Sequence, residues 1–449
     1  QSKDHRESHN HFLAAKPKGE IMLMNDQCWV NGSLFEVVKY GFPSIQWVLD
    51  SSKRWHVATL ESTSMIWDLL NQVHQNRWLF GYLGYDVKNA IETLESSHPS
   101  LNNAPDLWLM EPEILLKYTP ECDELVVVED NQQTFEVGAT EWILGDKAML
   151  ELSVTYQGYE GDVEKASFNF NLKQIMDKDR YIEKVKSIQH DIHEGSYYEM
   201  NLSHALAFEF EGSAWGLYQA MKEHGPVPFG TYMELHDLYG EKLQVCCASP
   251  ERYLAKRGST IWSEPIKGTV GRDSKEFGWI PEQVREELLS AKNKAEHLMI
   301  VDLVRNDLNR VAKNGSVKVD PLFEIQEFET VYQLVSKVIA EVNPGVSSFE
   351  VIRNSFPMGS MTGAPKIAAM KAIERYEEYK RGIYSGAIGY LSPEGDFDFN
   401  VVIRTAIIQG RNMIYPVGGA ITSDSDPEGE WDETLVKAQA LHHAYRAKP

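Results

Sequence analysis

Acidic residues at helical spacing are the first candidates for chemistry in this chain. Glu430 and Glu433 stand three apart, which puts both on one face of a helix. Like charges so placed repel mildly and want a cation or water. Glu296 lies in a second helical stretch, Lys294-Ala295-Glu296-His297. Carboxylates brought together from separate helices suit Mg²⁺, a hard ion that takes oxygen ligands and keeps positions for water and substrate. The plain alternative is a solvated acidic face, and with 66 acidic residues in the chain that reading is the commoner one.

Lysine and arginine supply the second set. In Trp262-Ser263-Glu264-Pro265-Ile266-Lys267-Gly268-Thr269, a proline and a glycine bracket a lysine at a sharp turn of the backbone. Such a lysine is usually a surface turn residue. To act as a nucleophile it must be neutral, and lowering its pKa by about 3 units costs roughly 4 kcal/mol. Burial or a nearby cation would have to supply that. Gly359-Ser360-Met361-Thr362-Gly363-Ala364-Pro365-Lys366 opens an apolar helix at Ile367, and small residues there expose backbone N–H groups to an anion. It lacks the order of a P-loop. Arg404, in Val402-Ile403-Arg404-Thr405, is a cation within an apolar strand and needs an anionic partner, structural or bound. Gly418-Gly419 lies in the strand beside it. Together Lys267, Lys366 and Arg404 offer local positive ground.

These residues need elements to hold them. Tyr181, Val185, Ile188 and Ile192 share one helical face, with Asp177 or Asp179 as N-cap and Gly195 as the terminating glycine. A strand follows through Met200-Asn201-Leu202. Pro281 to Val311 predicts a long helical region. Ser385 to Leu391, Asp396 to Ile408 and Asn412 to Thr422 alternate as strands of an antiparallel meander, with Pro393-Glu394-Gly395 and Gln409-Gly410-Arg411 as turns. A last helix opens at Ser425-Asp426-Pro427-Glu428. Trp78 to Tyr85 carries the aromatic and glycine pattern of a close-packed strand. A surface loop over Gln157 to Asp162 divides a first portion, 1–160, from a second, 161–449. The pattern predicts an α+β fold rather than a doubly wound parallel sheet.

The chain has 449 residues, 43% hydrophobic and 24% charged, enough for a sizeable core or two and not the composition of a disordered chain. A net charge of −22 repels nucleic acid and anionic membranes, so an anionic substrate must be bound by local cations against the global field. No apolar run reaches membrane-spanning length. Cys28, Cys122, Cys246 and Cys247 suggest neither a disulfide framework nor zinc, and a cytosolic, reduced chain is the simplest reading.

Taken in order, Ser-Pro-Glu-Arg (249–252), Pro-Ile-Lys-Gly-Thr (265–269), Ala-Glu-His-Leu-Met-Ile-Val-Asp-Leu-Val-Arg-Asn-Asp (295–307), Gly-Ser-Met-Thr-Gly-Ala-Pro-Lys (359–366), Val-Ile-Arg-Thr (402–405) and Ser-Asp-Pro-Glu-Gly-Glu-Trp-Asp-Glu-Thr (425–434) resemble the signature series of the chorismate-utilising enzymes. That family includes anthranilate synthase component I, aminodeoxychorismate synthase component I, and isochorismate and salicylate synthases. The resemblance implies two stacked, mostly antiparallel sheets flanked by helices, with a site between them. The first portion, where Phe80-Gly81-Tyr82 matches faintly, is the N-terminal part of that fold, with an effector-binding role left open. The catalytic, chorismate-binding portion is 161–449.

The resemblance also implies roles. Glu296 and Glu430, with Glu433 beside them, would hold Mg²⁺, which would bind the ring carboxylate of chorismate. Arg404 and backbone N–H groups at Gly418 and Gly419 would hold the enolpyruvyl carboxylate, with Tyr390, Thr362 and Lys366 completing the substrate contacts. Glu251 matches the general acid for the departing C4 hydroxyl. Lys267 matches the aminodeoxychorismate branch, where a lysine attacks C2 and ammonia then enters at C4; relatives that make anthranilate usually carry alanine there. Hydrolytic relatives place a lysine where this chain has Glu199, and aminating ones often a glutamine. Gln333 stands where many relatives have histidine, and Ala420 ends the usual glycine triplet. The expected partner is a separate glutamine amidotransferase subunit delivering ammonia, since no cysteine sits in a glycine-flanked nucleophile turn. Rival expectations are anthranilate synthase component I and an inactive regulatory subunit of the same fold.

Overall fold

Alternating apolar residues build the centre of the molecule. A computed structural model describes residues 11–94, 96–119, 124–130, 167–224, 227–272, 280–328 and 331–446. Cys122 and the loop expected over Gln157 to Asp162 lie outside them. The described strands form a 13-stranded sheet, a seven-stranded sheet and a small three-stranded one. All pairings between named strands are antiparallel.

The two larger sheets pack face to face. Met22, Tyr82, Trp108 and Ile388 of the large sheet bury against Leu243, Val245, Ile407 and Ile414 of the second. Each such side chain contributes about 1.5–3 kcal/mol. Helices Gly32–Gly41, Met65–His74, Ala291–Asn309 and Ser348–Ser355 cover the outer face of the large sheet. Helices Ala214–His224 and Pro427–Arg446 cover the second. The expected α+β architecture of two stacked sheets is what forms. Leu79–Leu83 of the first portion pairs with Ala387–Leu391 of the second, so one sheet crosses both. On its other edge Leu79–Leu83 pairs with Leu107–Thr119, and Gly81 permits that close approach, because a Cβ there would lie 2.1 Å from the Trp108 carbonyl oxygen.

Several local expectations hold. Helix Lys178–His193 is capped by Asp177, whose side chain accepts from the Arg180 N–H, and Gly195 takes φ +79° beyond its end. The last helix starts at Pro427, with Asp426 accepting from the Gly429 N–H.

Two expectations are corrected. The helical region from Pro281 to Val311 is two helices, Glu282–Leu288 and Ala291–Asn309, because Ser290 caps the second by accepting from the Asn293 N–H. The meander is not one sheet. Phe397–Asn400 belongs to the large sheet and Thr405–Gln409 to the seven-stranded one, and the chain crosses between them at Val401–Arg404. Arg404 adopts φ +50° at that crossover. A non-glycine residue held in this region stores backbone strain, which clusters at functional sites.

Candidate active site

Lys267 follows the turn at Pro265 that takes the chain out of the large sheet and into strand Ile266–Gly271. Pairing with Val331–Val335 slips between Ile266 and Thr269, and Gly268 takes φ +87°. Such a bulge re-aims the side chain beside it. Lys267 Nζ ends 3.3 Å from Glu296 Oε2 and 3.8 Å from Glu199 Oε1. Burial draws this ammonium toward the neutral form, but Glu199, Glu296 and Glu433 outweigh it and the pKa lies above the ordinary lysine value. The surroundings required of a free nucleophile are therefore reversed here: carboxylates hold the proton on.

The final helix brings Glu430 and Glu433 against strand Asn412–Ile421. A Cβ on Gly419 would come within 3.0 Å of Glu430 Oε2 and 3.8 Å of Glu433 Oε1, so the glycine opens the space in front of both. Burial pushes the Glu430 carboxyl up, partly offset by a hydrogen bond from Ser425. Burial also opposes ionisation of Glu433, but Lys437, 2.7 Å away, keeps its pKa below normal. Among the described residues no three His, Cys, Asp or Glu side chains converge in metal-binding geometry. What Glu296, Glu430 and Glu433 share is their field at Lys267. Their donor atoms are all carboxylate oxygens, and the cradle beside Gly419 is clear, so the residues fit a hard divalent cation.

Glu251 is 6% exposed, and burial raises its carboxyl to about 7, against the opposing effects of a Ser360 hydrogen bond and the Lys267 charge. It lines an internal cavity of about 20 Å³, room for one water molecule. Arg404 has no ion pair among the described residues, and burial alone draws its pKa down, countered by Tyr415. The structural ion pair weighed for it in the sequence is absent from the described residues. Pairing of Asn412–Ile421 with Thr405–Gln409 ends at Ile414, leaving the edge from Tyr415 through Gly418 and Gly419 toward the Arg404 crossover. On the other edge Gly418 meets Ser203 and Gly419 meets Leu202.

Three expected contacts lie elsewhere. Lys366 Nζ donates to Asp307 Oδ2 at 2.6 Å and to the Ser355 carbonyl at 2.9 Å, so its charge is already spent on a buried pair. The Thr362 hydroxyl is fully buried and donates back to the Met358 carbonyl at 3.1 Å, while Gly363–Ala364 pairs as a short strand with Glu199 and Met200. Tyr390 packs among Phe12, Trp78 and Phe80 and accepts a hydrogen bond from Arg257 at 2.8 Å. Among the described residues it makes no hydrogen bond to Lys267, Arg404, Glu296, Glu430 or Glu433. Tyr384, which the sequence reading passed over, sits instead within electrostatic reach of Tyr415, the phenol that also senses Arg404. Its signal was its place just after Arg381, whose buried guanidinium bonds Glu377, the Met361 and Asn201 carbonyls and the Ser385 hydroxyl. Ser360 and Lys437 were likewise missed, although Lys437 stands one helical turn from Glu433.

The sequence pattern of the chorismate binding enzymes matches residues 5–443. The chain belongs to the chorismate-binding enzymes. It is 35% identical over 367 residues to an aminodeoxychorismate synthase of Streptomyces griseus, covering 80% of this chain and 49% of that protein. It is 33% identical over 373 residues to anthranilate synthase component 1 of Aquifex aeolicus, covering 82% of this chain and 74% of that one. The chain thus spans about half the length of the first of these chorismate-binding relatives. The crystal structure of anthranilate synthase component I from Streptococcus pneumoniae superimposes with a TM-score of 0.73 at 24% identity, covering 98% of this chain and 93% of that one. That likeness establishes the fold, and identity alone does not separate the two activities.

Proposed function

We propose that this chain is the chorismate-aminating component of an aminodeoxychorismate synthase, making 4-amino-4-deoxychorismate. The observation that carries the reading is Lys267 Nζ standing 3.3 Å from Glu296 Oε2, its side chain only 22% exposed, where a turn lysine would be solvated. Once its proton has passed to a flanking carboxylate, this amine can attack C2 as the C4 hydroxyl leaves as water; ammonia then enters at C4 while the C2–N bond breaks and its electron pair returns to Nζ, which places nitrogen para to the ring carboxylate. Direct attack by ammonia would put it at C2, so one side chain selects the product. Glu251, protonated to about pH 7, is suited to donate the proton that the departing hydroxyl needs.

Arg404, with no carboxylate partner among the described residues, is matched to the enolpyruvyl carboxylate, together with the open strand edge at Gly418 and Gly419. Tyr384 is the better candidate than Tyr390 for a substrate-side phenol. Glu296, Glu430 and Glu433 would hold Mg²⁺; a bound dication there would neutralise their charge and receive the ring carboxylate. Ammonia would come from a glutamine amidotransferase partner. Anthranilate synthase component I is the second reading, favoured by the Aquifex aeolicus relative. Incubation with chorismate, Mg²⁺ and ammonium, with mass analysis of the product, decides between them. Anthranilate and pyruvate would overturn the para assignment.

A further inference from the structure

The helix that carries Glu430 and Glu433 is gripped from behind by one buried imidazole. His204, 1% exposed in strand Glu199–Gly212, lies opposite Val417, two positions before Gly419. Its ring stacks on Trp431, with centroids 5.2 Å apart and planes 16° from parallel, and Tyr181 meets the two rings at 5.6 and 5.5 Å. His204 Nε2 lies 3.0 Å from Thr434 Oγ1. Thr434 gives its own proton to the Trp431 carbonyl at 2.7 Å, so toward the ring it accepts, and His204 presents Nε2–H. Burial draws the His204 pKa down to about 4, which keeps the ring neutral at ordinary pH. Trp431 and Thr434 stand three apart and share one helix face, as Glu430 and Glu433 share another. The two faces are about 100° apart round the helix, so fixing the first sets the direction of the second.

We propose that His204 is the positioning residue for these carboxylates: stacked on Trp431 and bonded to Thr434, it fixes the rotation of helix Pro427–Arg446 and so aims Glu430 and Glu433 at the space beside Gly419. The assignment rests on the Mg²⁺ reading of Glu296, Glu430 and Glu433 given above. An apolar side chain could fill the same volume, but it would set no angle. The stack orients the Trp431 ring, and the hydrogen bond fixes Thr434 one turn further on. Ser425 and Lys437, which bond Glu430 and Glu433, belong to the same segment and turn with it. Lys437 also reaches the Gly418 carbonyl at 2.7 Å, but on a flexible four-carbon stem. His204 belongs to the strand paired with the one that bears Gly419, so it supplies a rigid reference outside the helix.

The test is calorimetric titration of Mg²⁺ into the purified chain, with chorismate saturating and no nitrogen donor present, and with the Tm of each variant measured alongside. His204→Leu and Thr434→Val are each expected to weaken Mg²⁺ binding at least about tenfold, the lower end of what losing a partner outside the ligands costs. The double variant should match His204→Leu within about twofold, because both changes remove the same bond. His204→Gln, whose amide still donates to Thr434, should return to within about threefold of the parent. Leu441→Ala opens a cavity under the far end of the same helix. It should lower Tm and leave Mg²⁺ affinity within about twofold of the parent. Parent-like affinity in Thr434→Val, which keeps the shape of the side chain, overturns the assignment even where His204→Leu does not fold. Equal weakening by Leu441→Ala also overturns it, since the effect would then be general destabilisation. A parent that binds Mg²⁺ while the grip variants match it leaves the metal reading standing and removes only His204; a parent that binds none overturns both.

Discussion

At the residue scale, the site turns on two groups whose surroundings push their protonation in the same direction. Lys267 is held charged by carboxylates, and Glu251 is held neutral by burial. Lys267 therefore carries its proton at neutrality, and Glu251 keeps a substantial fraction of its acid form there. Replacing Lys267 by Ala should abolish 4-amino-4-deoxychorismate formation and expose an anthranilate-type product, which mass analysis would show; the same product at the parent rate would refute the adduct. For Glu251 the sign is fixed by its raised value: the acid form is present below about 7 and is lost as pH rises through it. The kcat of the parent should fall on the alkaline side of that point. Glu251→Gln should lower kcat by about 10²-fold or more and remove that limb. An unchanged alkaline limb in the variant would assign it to another group.

At the element scale, adjacent glycines in strand Asn412–Ile421 do different work because strand side chains alternate. A Cβ on Gly418 would strike the Leu202 carbonyl at 2.6 Å, whereas one on Gly419 points at the Glu430 and Glu433 carboxylates. Gly418→Ala should therefore lower Tm, read by calorimetry. Gly419→Ala should keep Tm near the parent value and raise the Mg²⁺ concentration for half-maximal activity by about tenfold. Equal effects of the two on both readouts would remove the cradle assignment. The crossover at Val401–Arg404 belongs to this scale too. It turns an arginine out of the strand ladder and holds it at the end of the second sheet on a left-handed backbone.

At the scale of the whole molecule, a net charge of −22 surrounds a site proposed to bind a dianion. Long-range repulsion slows encounter and is screened over a Debye length of about 10 Å at 0.1 M salt. At fixed Mg²⁺, kcat/KM for chorismate should rise at least about twofold between 10 and 100 mM inert salt; a fall would mean that the local field at Arg404 and the metal dominates approach. Glu296→Ala should lose Mg²⁺ dependence together with turnover, and full activity of the parent in a chelator would remove the metal assignment. Among the described residues no helix is long and apolar enough to cross a membrane.

Much was legible in the residues alone. Ordered motifs identify the family, helical periodicity with Asp177 and Asp426 at N-termini locates two helices, and glycine among aromatics marks the close-packed strand Leu79–Leu83. Such signals are local: caps, turns and periodicity act within a few residues, and the sequence states them directly. The sequence alone also determined which charges the site has available. It could not say which of them are already satisfied. Lys366 is spent on Asp307 across 59 positions, Tyr390 faces an aromatic cluster that includes Phe12, and a strand predicted as continuous changes sheets at Arg404. Those outcomes depend on partners distant along the chain, so only tertiary packing decided them. The same packing set Lys267 among carboxylates, because a bulge and two separate helices meet there and nowhere in the linear order are they neighbours.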